Sequence, residues 1–142
     1  KLITVVCYAN YCRSPVAEKL LQRKFLNYFE VISAGLNPLY GKNMDPRSLD
    51  FLKKKNISSS IHSPQKITNK IIQTSEIIFA IDTEILIKLN KLFPKYKQKI
   101  KLFSFNSPSV RIYDPHIMND KEYEREMLKI ESIVNEIEFP FN

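Results

Sequence analysis

The sequence predicts an α/β fold, a single-domain sandwich with a central four-stranded parallel sheet flanked by helices on both faces. Short β-branched runs such as residues 2–6 alternate along the chain with segments of helical spacing, which is typical of a parallel sheet buried on both sides. A length of 142 residues suits one domain with a sizeable core, and no repeat or low-complexity linker divides it. We therefore expect residues 1–142 to form one domain.

Local signals place each element in order. Pro15 and Pro46 stand where the first turn of a helix tolerates a missing N–H. Asp45 precedes one helix as its cap, and either Asn119 or Asp120 precedes the last helix in the same way. The predicted elements are strand 2–6, helix 15–27, strand 29–33, helix 46–55, a short helix 69–74, strand 76–81, helix 83–93, strand 100–104 and helix 120–137.

An eight-residue loop, Cys7 to Ser14, joins the first strand to the first helix and sets a cysteine six residues before an arginine. Such a loop turns backbone N–H groups toward its centre and aims a helix N-terminus at the same point, which makes a cradle for a phosphate. Helix N-termini and adjacent cations also favour the thiolate form of a cysteine. We therefore expect Cys7 to be a nucleophile, Arg13 to clamp two phosphoryl oxygens and Ser14 to donate to the sulfur.

The same residues have a plainer interpretation, in which Cys7 is a small buried hydrophobe at a strand end and Arg13 is a surface charge. Residues 6–18, however, resemble the signature of the low-molecular-weight protein tyrosine phosphatases, C-x-G-N-x-C-R-S-P with A-E following, and depart from it only at Ala9. Further residues similar to the bacterial members tied to exopolysaccharide synthesis are Ser33-Ala34-Gly35-Leu36, Gly41-Lys42, Asp45-Pro46, His62 and Tyr113-Asp114-Pro115. The resemblance covers essentially the whole chain and favours the catalytic interpretation.

The resemblance implies a two-step reaction without a metal or other cofactor. Cys7 would attack the phosphorus, Asp114 would protonate the leaving oxygen, and a water activated by Asp114 would hydrolyse the phosphocysteine to release inorganic phosphate. Asn10 and His62 would join a hydrogen-bond network that supports the loop, and Cys12 would be the second loop cysteine, able to form a disulfide with the nucleophile. The implied phosphate-binding loop comprises Cys7, Tyr8, Ala9, Asn10, Tyr11, Cys12, Arg13 and Ser14.

Two of these assignments also have ordinary structural interpretations. A phenolate leaves far more easily when protonated, and an aspartate on a mobile loop such as Asp114 can supply the proton. An Asp-Pro pair is equally a common turn. A single histidine is often only a hydrogen-bonded polar residue, so both interpretations of His62 stay open.

Aromatic and apolar side chains are expected to wall the substrate cleft. They are Tyr8, Tyr11, Leu36, Tyr40 and Tyr113. A phenyl ring packs well against such walls, whereas phosphoserine is too short to reach Cys7 at the bottom of a deep slot. Phosphotyrosine is therefore the expected substrate, and Tyr40 has the alternative role of covering the core.

Three other functions are compatible with a loop of this kind. Arsenate reductases need two further cysteines downstream, and none follows Cys12, which argues against that activity. A protein arginine phosphatase would use the same catalytic residues, and Tyr11 is typical of neither phosphatase in the family. A weakly catalytic phosphopeptide-binding module is the remaining alternative, in which Ala9 and Tyr11 slow turnover but leave the anion cradle intact.

The formal charge of +7 invites comparison with nucleic-acid-binding proteins. A basic stretch contains Lys88, Lys91, Lys95, Lys97, Lys99 and Lys101. Only Phe93 and Tyr96 offer stacking platforms there, so we expect a solvated surface and no nucleic acid partner. No apolar stretch nears the roughly 20 residues of a membrane helix, which predicts no membrane insertion.

The cysteine content predicts a reducing compartment. Two cysteines in one loop form neither a secreted disulfide framework nor a four-ligand zinc site. Residues 1–6 lead directly into a strand with no cleavable apolar segment before them. We therefore expect a cytoplasmic protein, and the resemblance implies a tyrosine-phosphorylated protein as partner, namely a bacterial membrane tyrosine autokinase.

Overall fold

Four parallel strands form the central sheet, and the α/β class predicted from the sequence is confirmed. The computed structural model describes residues 1–57 and 61–141. The elements are β1 (Leu2–Cys7), α1 (Ser14–Lys24), β2 (Glu30–Gly35), α2 (Pro46–Lys54), α3 (Asn69–Thr74), β3 (Ser75–Ala80), α4 (Thr83–Leu92), a 3₁₀ helix (Pro94–Lys99), β4 (Ile100–Leu102) and α5 (Asp120–Glu136). The strand order across the sheet is β2-β1-β3-β4, with helices packed against it.

β1 lies inside the sheet, paired in parallel with β2 on one side and with β3 on the other. Val5 and Val6 of β1 and Ile78 of β3 are fully buried. Thr4 is also fully buried, and its hydroxyl lies 2.8 Å from the hydroxyl of Ser75, so its polarity is satisfied inside the core. Burial on both faces explains why these strands read as apolar runs without alternation.

Two boundaries in the first half differ from the predicted ones. Helix α1 ends at Lys24 instead of residue 27, because the chain turns there so that Phe25 and Phe29 both enter the core, with their rings edge to face and centroids 5.6 Å apart. Strand β2 runs to Gly35, two residues beyond its predicted end, because its pairing with β1 continues to the last residue of that strand.

The second half contains one element that was not predicted and one that is shorter than predicted. The 3₁₀ helix has a strongly basic sequence without an apolar period and was missed. β4 ends at Leu102 instead of residue 104. The N–H of Phe103 still bonds to the carbonyl of Ala80, but the chain turns from this residue on and leaves the sheet. Helix α3 has its predicted bounds. The remaining elements differ from theirs by one residue at one end, except β3, which begins and ends one residue earlier than predicted.

The helix caps follow the predicted chemistry. Asp45 caps α2 by accepting from the backbone N–H of Arg47 at 2.9 Å. Asn119, one of the two predicted candidates, caps α5 in a reciprocal capping box with Glu122. The start of α5 is therefore fixed immediately after the loop that carries residues 113–118. Within the described residues, no helix has both the length and the apolar character needed to cross a membrane.

The register of β1 and β2 brings Cys7 opposite Gly35 at the carboxyl edge of the sheet. Backbone pairing continues past both strands, where the N–H of Leu36 bonds to the carbonyl of Cys7 at 3.1 Å. A Cβ atom on Gly35 would lie 2.7 Å from the carbonyl oxygen of Tyr8 and 2.9 Å from the backbone nitrogen of Asn10. Only a glycine therefore allows the loop after β1 to approach β2 so closely.

Gly35→Ala is expected to lower the free energy of unfolding by about 3 kcal/mol, at the upper end of the cost of overpacking, because the atoms it meets are backbone atoms that cannot rotate away. Gly41→Ala is the matched control, since that glycine has φ +78° but open space around its Cβ position. It should cost only about 1 kcal/mol of backbone strain. Urea unfolding measures both, and equal losses would contradict the close approach at Gly35.

Candidate active site

The loop between β1 and α1 lies at the carboxyl edge of the sheet, with Cys7 at its start and Ser14 as the first residue of α1. Cys7 is 3% exposed, and its sulfur lies 2.9 Å from the hydroxyl oxygen of Ser14. The first turn of α1 contains Pro15 and no acidic side chain, so the positive end of the helix dipole is left uncompensated by the helix itself. An anion in the loop would therefore face a favourable field.

A chain of buried hydrogen bonds orients the Ser14 hydroxyl. Glu18 accepts from the hydroxyl of Ser33 at 2.7 Å, and the amide Nδ2 of Asn10 donates to Ser33 and to Ser14, each at 2.9 Å. Because a carboxylate only accepts, Ser33 must donate to Glu18 and accept from Asn10. Ser14, which also accepts from Asn10, keeps its own proton for the sulfur of Cys7. The direction of this chain stabilises a thiolate.

The backbone of the loop is pinned at Asn10, which has the left-handed φ of +52°. Its side-chain Oδ1 accepts from the N–H of Gln65 at 2.9 Å, and its carbonyl lies 2.7 Å from Nε2 of His62. Since a carbonyl only accepts, Nε2 of His62 carries the proton. The structure thus brings Asn10 and His62 into contact. Ala9 is not among the described residues of positive φ, so its Cβ causes no left-handed backbone strain.

Arg13 is buried and held by an acid that sequence analysis did not single out. Its Nη1 donates to Asp82 Oδ2 at 2.7 Å and to the carbonyl of Ile112 at 3.3 Å. Burial opposes the charge, but Cys7 and Asp82 outweigh it and hold the pKa of Arg13 above its ordinary value. Within the described ranges Nε and Nη2 of Arg13 have no protein acceptor, which leaves them for phosphoryl oxygens.

Asp82 caps a helix and also binds Arg13, and only the first of these two contacts can be predicted from the local sequence. Its Oδ1 caps α4 by accepting from the N–H of Ile85 at 2.8 Å, and the pattern of an aspartate between a strand and a helix could have predicted that cap. Its Oδ2 binds Arg13, which is 69 residues away in the chain. No local pattern predicts this second contact.

Asp114 is exposed and belongs to a turn, since its Oδ1 accepts from the backbone N–H of His116 at 3.1 Å. The turn and the active-site position are therefore compatible. A cavity of about 630 Å³ opens beside the loop from Cys7 to Ser14, and its lining includes Tyr8, Arg13, Tyr113 and Asp114. The structure thus places the candidate acid and the candidate clamp on one cavity.

The expected cleft residues fall into two groups. Tyr8 and Tyr113 line the cavity, and the Tyr8 hydroxyl accepts from the side-chain amide of Asn37 at 3.2 Å. Tyr11 and Leu36 are half-buried against the core and are not among the cavity residues. Tyr40 is 64% exposed, so it neither lines the cavity nor covers the core.

The second loop cysteine, Cys12, sits in a different environment from Cys7. Both are free thiols. Burial, with the nearby Asp45 carboxylate also contributing, raises the pKa of Cys12 to about 12 despite a contact with Tyr123 that lowers it. Cys12 is therefore a protonated thiol at neutral pH, and its sulfur lies 3.9 Å from Asp45 Oδ2.

An ion pair missed from the sequence connects this loop to the segment that follows Asp114. Arg47 donates to both carboxylate oxygens of Asp45 at 3.1 Å, and also to the carbonyls of His116 and Met118 at 3.1 and 2.7 Å. The backbone N–H of Asp45 in turn bonds to the carbonyl of Tyr11. Asp45 and Arg47 therefore join the loop from Cys7 to Ser14 to the loop of the candidate acid.

Known proteins of one family are similar to this chain. The family model described as low molecular weight phosphotyrosine protein phosphatase matches residues 2–138. The low molecular weight protein-tyrosine-phosphatase Wzb of Escherichia coli K12 is 32% identical over 114 residues, which cover 80% of this chain and 77% of that protein.

Two solved structures have closely similar folds. Vibrio vulnificus Wzb in complex with benzylphosphonate has a TM-score of 0.89 at 24% identity and covers 95% of this chain and 94% of its own. The YwlE arginine phosphatase from Geobacillus stearothermophilus has a TM-score of 0.87 at 27% identity and covers 94% and 88%. The fold is therefore shared with a protein named as an arginine phosphatase.

The lowered pKa of Asp45 predicts how the free energy of unfolding changes with acid pH. Burial opposes its ionisation, but the hydrogen bonds from Arg47 outweigh burial and hold the pKa of Asp45 below its ordinary value. The ionised carboxylate therefore stabilises the fold above about pH 4, and this stabilisation is lost as the pH falls through the lower, folded pKa. Asp45→Asn should lower the free energy of unfolding at pH 7 by about 1–3 kcal/mol and flatten its decline below pH 4.

Urea unfolding at pH 7, 4 and 3 measures this difference. Asp50→Asn is the matched control, because it removes an exposed carboxylate from the same helix, whose ion pair with Lys54 lies at the surface. It should leave the acid decline unchanged. Parallel acid declines in wild type and Asp45→Asn would contradict the role of the Asp45 charge.

Proposed function

Because the chain belongs to the low molecular weight phosphotyrosine protein phosphatase family, we propose that it hydrolyses phosphotyrosine through a phosphocysteine intermediate, with Cys7 as nucleophile, Arg13 as phosphate clamp and Asp114 as general acid and base. The enzyme is a protein-tyrosine-phosphatase, a hydrolase of phosphoric monoesters. The observation that carries the assignment of the residues is the 2.9 Å contact between Cys7 Sγ and an oriented Ser14 hydroxyl at the base of an anion cradle.

In the first step the phosphoryl group occupies the loop, held by backbone N–H groups and by Nε and Nη2 of Arg13. The thiolate of Cys7 attacks the phosphorus, so that an S–P bond forms while the bond to the phenolic oxygen breaks. Asp114 gives its proton to that oxygen, which therefore leaves as a neutral phenol. The step needs Asp114 on the side of the phosphorus opposite the sulfur.

In the second step a water attacks the phosphocysteine and gives its proton to the carboxylate of Asp114. The P–S bond breaks, inorganic phosphate leaves, and Cys7 departs as a thiolate that the Ser14 hydroxyl stabilises. The exposure of Asp114 suits both steps, because its carboxyl must exchange protons with solvent and reach a water. The mechanism uses no metal or other cofactor.

The cavity supports an aromatic substrate. Tyr8 and Tyr113 line it at its catalytic end and offer ring surfaces to a phenyl group. Phosphoarginine is the second candidate substrate, favoured by the similarity to the YwlE arginine phosphatase structure at 27% identity. Both substrates would use the same nucleophile and clamp.

We propose a tyrosine-phosphorylated protein as the physiological substrate, and more specifically a tyrosine autokinase in exopolysaccharide control. The resemblance of residues 33–36, 41–42 and 62 to the bacterial members of that group supports this choice. We also propose that residues 1–142 act as one phosphatase domain in the cytoplasm, where a catalytic thiol stays reduced.

Cys7→Ser should abolish hydrolysis of p-nitrophenyl phosphate and of phosphoarginine in the presence of a chelator, because a hydroxyl is too weak a nucleophile here. The variant should still bind inorganic phosphate, which calorimetry measures and which shows that the loop is intact. Faster wild-type turnover of the aryl phosphate supports the tyrosine assignment, whereas a preference for phosphoarginine supports the second candidate. Phosphate binding without turnover of either substrate by the wild type would leave only a binding module.

Asp114→Ala should lower the rate of aryl phosphate hydrolysis by ~10²–10⁴-fold, which is the contribution of a positioned acid, with little change in phosphate affinity. Asp114→Asn should show the same loss, since it keeps the shape but not the proton. Asp120→Ala, which removes an exposed carboxylate six residues further on, is the control and should behave as wild type. Steady-state kinetics with phosphate as competitive inhibitor separate the two quantities, and unchanged turnover in Asp114→Ala would refute its role.

A further inference from the structure

Helix α5 carries an ion pair between a buried carboxylate and a half-buried ammonium that the mechanism does not use. Glu126 is 3% exposed on the face of α5 that packs into the core beside Met127 and Ile130. Its two carboxylate oxygens accept from Nζ of Lys129 at 3.1 and 2.9 Å. A buried carboxylate is costly unless it is paired and hydrogen-bonded, so an apolar side chain would be the cheaper residue at this position.

The pair binds the chain immediately before Asp114. Glu126 Oε1 accepts from the backbone N–H of Tyr113 at 2.7 Å, and Lys129 Nζ donates to the carbonyl of Arg111 at 3.0 Å. The ammonium of Lys129 also lies 4.9 Å from the centroid of the Tyr113 ring. One helix therefore holds two backbone groups and one side chain within three residues of the candidate acid.

Within residues 1–57 and 61–141, no hydrogen bond from outside its own turn fixes the position of the Asp114 side chain. Its carboxylate accepts from His116, two residues along, and its side chain is exposed. Its place relative to Cys7 therefore depends on how the backbone on either side is held. Arg47 holds the following side through the carbonyls of His116 and Met118.

We propose that Glu126 and Lys129 are positioning residues that hold the preceding side of this loop, and so set where Asp114 meets the leaving oxygen of the substrate. The proposal rests on the proposed function of Asp114 as the acid. Misplacement of a reacting group by about 1 Å can cost ~10²-fold in rate, so a loop anchor that touches no substrate can still control catalysis.

A positioning role has a signature that a purely stabilising ion pair lacks. An ester with a poor leaving group, phenyl phosphate, needs the proton of Asp114, whereas 2,4-dinitrophenyl phosphate releases a stable phenolate without it. The quantity to compare is kcat/KM, which reports the steps up to departure of the phenol. The inhibition constant of inorganic phosphate reports the cradle alone.

Glu126→Met removes the acceptor for the backbone N–H of Tyr113 and keeps a side chain of similar volume. It should lower kcat/KM for phenyl phosphate by ~10–100-fold, change that for the dinitrophenyl ester by less than about threefold, and leave phosphate inhibition unchanged. Glu126→Gln should recover most of the loss, because its amide oxygen can still accept from the N–H of Tyr113. Glu131→Met is the matched control, since Glu131 forms an ion pair on the same helix, 2.9 Å from Lys55, away from the acid loop; it should behave as wild type.

A double-mutant cycle with Asp114→Ala tests whether Glu126 acts through the acid. In the Asp114→Ala background, Glu126→Met should lower kcat/KM for phenyl phosphate by less than about threefold. Equal losses on both esters, or losses that multiply in the double variant, would overturn the positioning role. A wild-type rate in Asp114→Ala would instead refute the acid assignment on which the proposal rests.

Lys129→Met keeps the proposal testable if Glu126→Met does not fold. It removes the contact with the Arg111 carbonyl while Glu126 still accepts from Tyr113. The same selective loss on phenyl phosphate, smaller than that expected for Glu126→Met, supports the proposal. Wild-type rates on both esters in Lys129→Met would overturn the role of the pair.

Discussion

Asn10 is fully buried, and a buried amide is costly unless its donors and acceptors are all satisfied. Its Nδ2 donates to Ser14 and Ser33, its Oδ1 accepts from the N–H of Gln65, and its carbonyl accepts from His62. These partners come from α1, from β2 and from the segment that precedes α3. The loop from Cys7 to Ser14 can therefore take its shape only once the sheet edge and residues 62–65 are in place. Its left-handed backbone at Asn10 is held by tertiary contacts.

The two halves of the site are held by different kinds of interaction. The Cys7 side depends on hydrogen bonds between buried neutral groups that end at Glu18, and these leave one proton for the sulfur of Cys7. The Asp114 side depends on two ion pairs whose charged groups form hydrogen bonds with backbone amides and carbonyls. These pairs are Asp45 with Arg47 and Glu126 with Lys129. This division suits the proposed role of Asp114, because an acid that exchanges protons with solvent stays exposed and is then placed through its backbone.

Local patterns predicted the parts of this structure that local physics determines. The strands, the caps Asp45 and Asn119, and the loop from Cys7 to Arg13 could be read from neighbouring residues. The partners of these residues could not, because Asp82 meets Arg13 only through the order of the strands. The role of Glu126 is indicated in the sequence by one signal.

That signal is an acidic residue within the apolar stripe of α5, between Tyr123 and Ile130. Because a charge on a buried stripe must have a partner, the stripe alone indicates that some polar group lies opposite. It does not say that the group is the backbone of Tyr113, which depends on how the loop before α5 passes over the helix.

The two loop cysteines lie close together in sequence, but their thiols have different surroundings. Cys7 faces the Ser14 hydroxyl and the charge of Arg13, whereas Cys12 faces the core and the carboxylate of Asp45. Because burial raises its pKa to about 12, Cys12 is almost entirely a protonated thiol at pH 7. Formation of a disulfide from a sulfenic acid on Cys7 needs the thiolate of Cys12 as attacker and releases water. The same burial that keeps Cys12 inert during turnover therefore opposes its use in oxidative protection, unless the loop opens and admits water to its sulfur.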